Sequence, residues 1–368
     1  MSEATAVSRN TLLRARRTVL AALLTLPAGW AVAAPEEPPD TGKPPKLFSS
    51  QDTLELTMQA PWRDVERKAS YQGTYPAQLH YKDADGRMET IEMTVARRGI
   101  KRQQTCSFPP IRLRFEKAAV KGTLFRGQKS LKMVTHCEGS EHYDQYYVLE
   151  MLAYRMYNLL TEVSFRVRPL QVTYVDQQTG QTEGPRFAFL IEDDSDVAKR
   201  NGMKKLDLPR ISPDRLDAEA ASLMSLFQFL IGNTDWAALM GPDPAECCHN
   251  VKLVGPEPLG PQDFALPLPY DFDSSGLVDT RYAAPHQDLK IRSVTQRLFR
   301  GYCRHNATLE SARQTILGKE TTIRALVADE PRLTSKSKKK AGRFLDGFFE
   351  IAEDPRQFEK QVIRQCRK

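Results

Sequence analysis

The chain has 368 residues, of which 40% are hydrophobic and 27% are charged, and its formal net charge is +7. This length and ordinary apolar content allow a sizeable core in one large domain or two lobes. The charge is too small, and the aromatic residues are too far from the basic ones, to predict nucleic-acid binding. The densest basic run, residues 336–340, is interpreted as a solvated helix start rather than a polyanion site.

The first 34 residues have the pattern of a bacterial signal peptide. Four arginines precede an uncharged run at residues 18–34. We expect cleavage after Ala33 or Ala34, which leaves a net charge of about +4 and places the mature chain in the periplasm or outside the cell. An uncleaved anchor is the alternative, but the run contains Pro27 and Gly29 and is barely long enough to span a membrane. No membrane span is expected in the mature chain.

The segment that follows, residues 35–50, is rich in proline and predicts a stiff, polar linker. All six cysteines come after it. An even number of cysteines in an oxidising compartment favours disulfides, and a zinc site is the weaker alternative because no C-x-x-C pair occurs. The six are Cys106, Cys137, Cys247, Cys248, Cys303 and Cys366.

Residues 51–185 have mainly strand patterns. Apolar and polar residues alternate in segments 54–58, 89–95 and 111–115, which is typical of half-buried strands. One helix is predicted at residues 142–160, where the apolar side chains recur on one face.

The second part of the chain, residues 186–368, is predicted to be mainly helical after a connecting strand. Ser212 is the expected cap of a helix that ends at Gly232, and short apolar strands follow around Val251 and Leu268. This order predicts an α+β, bilobal protein-kinase-like fold, with a β-rich first lobe that contains one helix and a mainly helical second lobe.

Three polar side chains in the second part lie at the ends of apolar segments. Asp235 follows the helix that ends at Gly232, Asn250 precedes one short strand, and Asp271 follows the other. Phosphoryl transfer needs an acid that orients the acceptor hydroxyl, and an amide and a carboxylate that hold Mg²⁺ on the nucleotide phosphates. Each residue alone could be a helix or turn cap, but the set in this order predicts a nucleotide and metal site.

The segments G-N-x-D, N-V-K-L and Y-D-F-D resemble the CotH family of secreted and spore-coat atypical kinases, and more distantly the HipA-type kinases. The resemblance covers about residues 94–279. It implies an enzyme that uses ATP and Mg²⁺ or Mn²⁺ to phosphorylate a hydroxyl of a protein or envelope acceptor. It also implies that Asp235 is the catalytic aspartate, that Asn250 and Asp271 bind the metal, and that Asp273 assists.

One departure from the kinase pattern concerns spacing. An ordinary kinase has four residues between its loop aspartate and asparagine, whereas fourteen separate Asp235 from Asn250 here. The insertion contains Cys247 and Cys248. It could loop out and be held by a disulfide, or it could mark a degenerate site.

The resemblance also implies residues in the first lobe that hold the nucleotide. Lys132 lies between Leu131 and Met133, so its side chain points away from theirs and could reach the phosphates. Glu150, in the predicted helix, stands where a kinase keeps the glutamate that pairs with this lysine. A solvated strand lysine and an exposed helix glutamate are the alternatives.

Two further segments resemble nucleotide-binding elements of the family. The step Arg97-Arg98-Gly99 includes a glycine that could let backbone amides approach phosphates, although Gly99 could simply be a turn. The strand that ends at Glu192 resembles the hinge whose backbone meets the nucleotide base, and its apolar residues could equally be core.

The cysteine positions predict one disulfide. Strands at 111–116 and 129–135 can pair about a turn near residue 121, and in that register Cys106 lies opposite Cys137. The remaining four cysteines would form the other bonds, with no connectivity indicated.

Other classes of function have less support. The six histidines show no H-x-x-x-H spacing, and no G-x-S-x-G motif occurs. The main rival to a kinase is a catalytically inactive, kinase-like binding or interaction module of the cell envelope. Metal-dependent nucleotide binding would distinguish the two.

Overall fold

The computed structural model describes residues 46–66, 73–99, 102, 105–243 and 245–368. The expected signal peptide and residues 35–45 of the expected linker lie outside these residues. Leu47, near the end of the linker segment, is buried in one hydrophobic cluster with Leu54. It therefore belongs to the folded domain rather than to a tether.

Ten strands and eight α-helices are formed within the described residues. The strands are β1 (Leu54–Ala60), β2 (Thr74–Lys82), β3 (Met88–Arg97), β4 (Ile111–Phe115), β5 (Ser130–Val134), β6 (Val167–Asp176), β7 (Thr182–Ile191), β8 (Lys204–Lys205), β9 (Val251–Gly255) and β10 (Leu266–Pro269). The helices are α1 (Trp62–Glu66), α2 (Asp144–Asn158), α3 (Asp194–Arg200), α4 (Ala218–Leu230), α5 (Leu309–Leu317), α6 (Glu320–Ala328), α7 (Ser335–Glu353) and α8 (Pro355–Gln361).

The first seven strands close into a barrel in the order β1-β2-β3-β4-β5-β7-β6. Neighbouring strands are antiparallel except β1 and β6, which pair in parallel with Leu54 opposite Leu170. Alternate residues of each strand point inward, as Leu56 and Met58 do, and fill the interior with apolar side chains. The strands expected at 54–58, 89–95 and 111–115 are confirmed.

The expected bilobal kinase-like fold is wrong. The β-rich part is a closed mixed barrel, and it contains two described helices, α1 and α2, where one was expected. Alternation along a strand predicts which residues point inward, but it does not predict which strands pair. The parallel pairing of β1 with β6 joins segments more than a hundred residues apart, so local pattern could not reveal it.

The remaining elements pack outside the barrel. Helix α2 lies on the outer face of the barrel, where Tyr154 contacts Phe189 of β7 edge to face. A separate three-stranded sheet has the order β10-β9-β8. The helix expected from Ser212 begins later, because Ser212 caps only a 3₁₀ turn and Asp217 is the cap of α4. Its end at Gly232 is confirmed, since this glycine has a φ of +64°.

The predicted bond between Cys106 and Cys137 is confirmed, with a Cα–Cα distance of 4.6 Å. The register differs by one residue from the expected one, because Arg112 lies opposite Lys132. Cys106 lies in the irregular segment before β4 rather than in the strand ladder. The amides of Ser107 and Phe108 both donate hydrogen bonds to the carbonyl of Cys137, which holds this segment in place.

The other cysteines pair as Cys303 with Cys366 and Cys247 with Cys248, so no described cysteine is free. Disulfides persist in oxidising compartments, and three of them fit an exported protein. None of the helices in the described residues is both long and apolar enough to cross a membrane.

Candidate functional site

The hairpin of β9 and β10 brings two of the predicted metal ligands to one edge. In this antiparallel pair Val251 lies opposite Pro269, so the start of β9 and the end of β10 coincide. The amide of Tyr270 donates a 3.1 Å hydrogen bond to the carbonyl of Asn250. Asn250 and Asp271 have φ values of +52° and +63°, a backbone conformation uncommon outside glycine and often found at functional sites.

The insertion between Asp235 and Asn250 loops out and leaves the two residues in contact. Ala237 and His249 form an antiparallel bridge that closes the loop. The side-chain amide of Asn250 donates hydrogen bonds to the carbonyl of Asp235 at 2.7 Å and to its Oδ2 at 3.4 Å. Because the loop cysteines bond to each other, the backbone bridge and not a disulfide closes this loop.

His249 is a further polar residue at this position. Its Nε2 lies 2.8 Å from Oδ1 of Asp235, and both side chains are about two-fifths exposed. The hydrogen bond to Asp235 raises the pKa of His249, and the charge of Asp271 adds to the increase. The imidazole therefore holds the Asp235 carboxylate in a fixed orientation at the surface.

The charge of Asp271 acts on several ionisable groups around the candidate site. Its amide donates a 2.8 Å hydrogen bond to the hydroxyl of Tyr154 in α2. Among the described residues its carboxylate has no hydrogen bond and no ion pair. Its negative charge nevertheless acts to raise the pKa values of Glu150, Asp273 and Lys132. These groups, which come from separate elements, therefore surround one site.

Asp273 is buried two residues further along the chain. The hydroxyls of Tyr282 and Ser274 donate hydrogen bonds to its carboxylate at 2.9 and 3.2 Å. Burial raises the pKa of Asp273 to about 6, and the charge of Asp271 adds to the increase. Its side chain is thus held by the protein beside Asp271.

Glu150 pairs with Arg102 rather than with Lys132, the expected partner. Nη1 of Arg102 lies 3.7 Å from Oε2 of Glu150, and both side chains are buried. Burial raises the pKa of Glu150 well above its usual value, Arg102 opposes this, and Asp273 adds to it. Neither oxygen of Glu150 accepts a hydrogen bond from the described residues.

Lys132 reaches the site from the outer face of β5. Its ammonium lies 4.4 Å from the centre of the Tyr270 ring, and it forms no ion pair with the described residues. Burial, together with the nearby charge of Arg98, lowers the pKa of Lys132 to about 8.

Two predicted residues are not brought to the cluster in the expected way. Gly99 is exposed and has a φ of +78°. Its neighbour Arg98 is the residue of this step whose charge reaches the site, where it lowers the pKa of Lys132. The carboxylate of Glu192 accepts hydrogen bonds from the backbone of Arg166 and from the guanidinium of Arg200. Its side chain therefore fixes α3 to the barrel.

Several residues that the structure places here had no role predicted from the sequence. Most of them lie in or beside the sequence motifs described above. Their closeness in sequence to a predicted site residue could have identified them. Arg102 and Tyr154 lie outside any motif and had no such signal. These residues are Arg98, Arg102, Tyr154, His249, Lys252 and Tyr270.

Neither a protein-family model nor a curated protein matches the chain. In the part of the chain that the structure describes, no group of three His, Cys, Asp or Glu side chains could hold a metal ion. The candidate site combines an amide oxygen with carboxylates instead.

Proposed function

We propose that this chain is an exported phosphotransferase that acts in the periplasm or outside the cell. It transfers the γ-phosphate of ATP to a hydroxyl of a protein or envelope acceptor, as the resemblance of its site residues to the CotH family implies. The observation that carries the proposal is the Asp271 carboxylate. It has no partner among the described residues and lies within electrostatic range of Lys132, whose ammonium forms no ion pair there. Function of this kind depends on the site rather than on a kinase-like fold.

The residues present fit a divalent metal. Asp271 offers a carboxylate. The amide nitrogen of Asn250 makes the contacts to Asp235, and its Oδ1 accepts no hydrogen bond from the described residues. Oxygen ligands of this kind suit Mg²⁺ and Mn²⁺, which keep remaining positions for water and phosphate. When bound, the metal would neutralise charge on the phosphates. Asp273, held by the hydroxyl of Tyr282, would add negative charge near Asp271.

The protein groups have separate tasks in the transfer. Lys132 binds phosphate oxygens, and Asp235 accepts a hydrogen bond from the acceptor hydroxyl. The acceptor oxygen forms a bond to the γ-phosphorus while the bond from that phosphorus to the β–γ bridging oxygen breaks. The hydroxyl proton passes to Asp235, and ADP leaves. His249 keeps the Asp235 carboxylate oriented throughout.

The test is calorimetry of the full exported chain with ATP in the presence of Mg²⁺ or Mn²⁺, followed by transfer of labelled γ-phosphate to an envelope protein fraction. We expect metal-dependent ATP binding and label on acceptor protein. If the chain does not bind ATP in the presence of Mg²⁺ or of Mn²⁺, the proposal is wrong. Binding without any transfer would instead identify a nucleotide-binding module.

A further inference from the structure

Two lysines from different sheets lie against the same aromatic ring. The ammonium of Lys132 is 4.4 Å and that of Lys252 is 5.7 Å from the centre of the Tyr270 ring. Both side chains are half-buried. Neither forms an ion pair with any residue that the structure describes.

The strand geometry explains why the two cations converge. Lys132 alternates with buried Leu131 and Met133 on β5, and Lys252 alternates in the same way with its buried neighbours on β9. Each lysine therefore points away from the core that its own strand covers. Tyr270, directly after β10, lies between the barrel and the small sheet and meets both side chains.

The local charge around these lysines is incompletely balanced. Burial is the main cause that lowers the pKa of Lys132, and the positive charges of Arg98 and Lys252 lower it as well. The carboxylates of Asp194 and Asp271 act in the opposite direction, but both lie beyond ion-pair distance. The guanidinium of Arg98 has no hydrogen bond or ion pair among the described residues. Partly buried like charges repel one another, and the ring compensates only in part. An anion bound between them would remove this cost.

We infer that Lys252 is a second phosphate-binding residue. Together with Lys132, which contacts the same Tyr270 ring, it forms a clamp that binds a polyphosphate chain. Arg98 adds a third positive charge at the same place. Three cations and a divalent metal complement the roughly four negative charges of a nucleoside triphosphate better than those of a monophosphate. The inference rests on the proposed function, because it assigns Lys252 to the donor substrate of that reaction.

The experiment measures binding of two probes to the full exported chain at fixed ionic strength. These are ATP with Mg²⁺ and inorganic tripolyphosphate without metal.

Lys252→Met should weaken binding of both probes by about tenfold or more, because one close charge is lost. Lys252→Arg should restore most of the affinity, which loss of packing alone would not predict. The matched control is Lys339→Met, an exposed lysine of α7, which should bind both probes like the parent. Thermal melts show whether each variant is folded.

The outcomes separate this inference from the proposed function. If folded Lys252→Met binds both probes as the parent does, the clamp is wrong while the phosphotransferase proposal stands on the parent's ATP binding. If the parent binds tripolyphosphate in a Lys252-dependent way but does not bind ATP, the clamp stands and the proposed function is wrong. If the parent binds neither probe, both are wrong.

Discussion

The side-chain amide of Asn250 donates a 2.7 Å hydrogen bond to the backbone carbonyl of Asp235, which is fifteen positions earlier in the sequence. This contact places the candidate metal-binding edge directly beside the candidate acceptor-orienting carboxylate. Binding of the donor and activation of the acceptor should therefore depend on adjacent but different side chains. Substitutions can separate the two tasks.

Asp271→Ala should abolish metal-dependent ATP binding, because the metal would lose its main negatively charged ligand. Calorimetry with and without Mg²⁺ measures this. The same substitution should remove one of the charges that raise the pKa of Asp273. A folded Asp271→Ala protein that binds ATP and metal like the parent would show that Asp271 is not a ligand.

Asp235→Ala should retain ATP binding and lose transfer by about a hundredfold or more, since it removes only the group that orients the acceptor hydroxyl. Single-turnover transfer of labelled phosphate, measured beside the binding assay, checks this. Equal losses in binding and transfer would point to a folding defect or to a role of Asp235 in the donor site.

ATP binding should weaken as the pH rises above about 8. Burial lowers the pKa of Lys132 to about 8, so the ammonium is increasingly neutral above that pH, whereas phosphate binding requires the charged form. Dissociation constants at pH 7 to 10 and constant ionic strength test this. Lys132→Arg keeps its charge over this range and should give a flatter profile. Identical profiles for the two proteins would contradict the assignment.

Acid should destabilise the fold through His136. This side chain is stacked on Phe108 at 4.3 Å. Burial lowers its pKa to about 3, with Arg186 and Arg102 contributing, and this effect exceeds that of the half-exposed Glu183 carboxylate 3.4 Å from Nε2. Its folded pKa lies below the unfolded value of 6.5, so the unfolded chain binds more protons between pH 6.5 and 3. The stability that depends on a neutral His136 is present above pH 6.5 and is lost as the pH falls towards 3.

The measurement for His136 is the free energy of unfolding in urea at pH 7, 6, 5 and 4. His136→Phe keeps an aromatic ring against Phe108 and should lose less stability on acidification than the parent. His286→Gln removes an exposed histidine and should follow the parent curve. The assignment fails if the His136→Phe and parent curves fall in parallel.

The disulfide between Cys106 and Cys137 should stabilise the barrel. Its sequence separation of 31 predicts a loss of roughly 4 kcal/mol in the free energy of unfolding when both cysteines become alanine. The same double substitution at Cys303 and Cys366, which are 63 positions apart, should cost at least as much. Urea titrations measure both. Unchanged unfolding midpoints would mean that chain entropy in the unfolded state is not what these bonds restrict.

Local pattern in the sequence determined a good part of the structure. Alternating apolar residues identified strands such as Leu54–Ala60, Gly232 marked the end of α4, and the cysteine positions indicated the bond from Cys106 to Cys137. These features depend on residues a few positions apart or on one hairpin register. The steric and hydrogen-bonding rules that govern them act within a single element.

Tertiary structure alone decided the rest. Closure of the barrel depends on β1 meeting β6, and the partner of Glu150 depends on which cation the folded chain brings to it, which is Arg102 and not Lys132. Lys132 and Lys252 share the Tyr270 ring because a barrel strand and a separate sheet pack together. Pairings between distant segments follow from the summed packing of the whole core, which no local periodicity encodes.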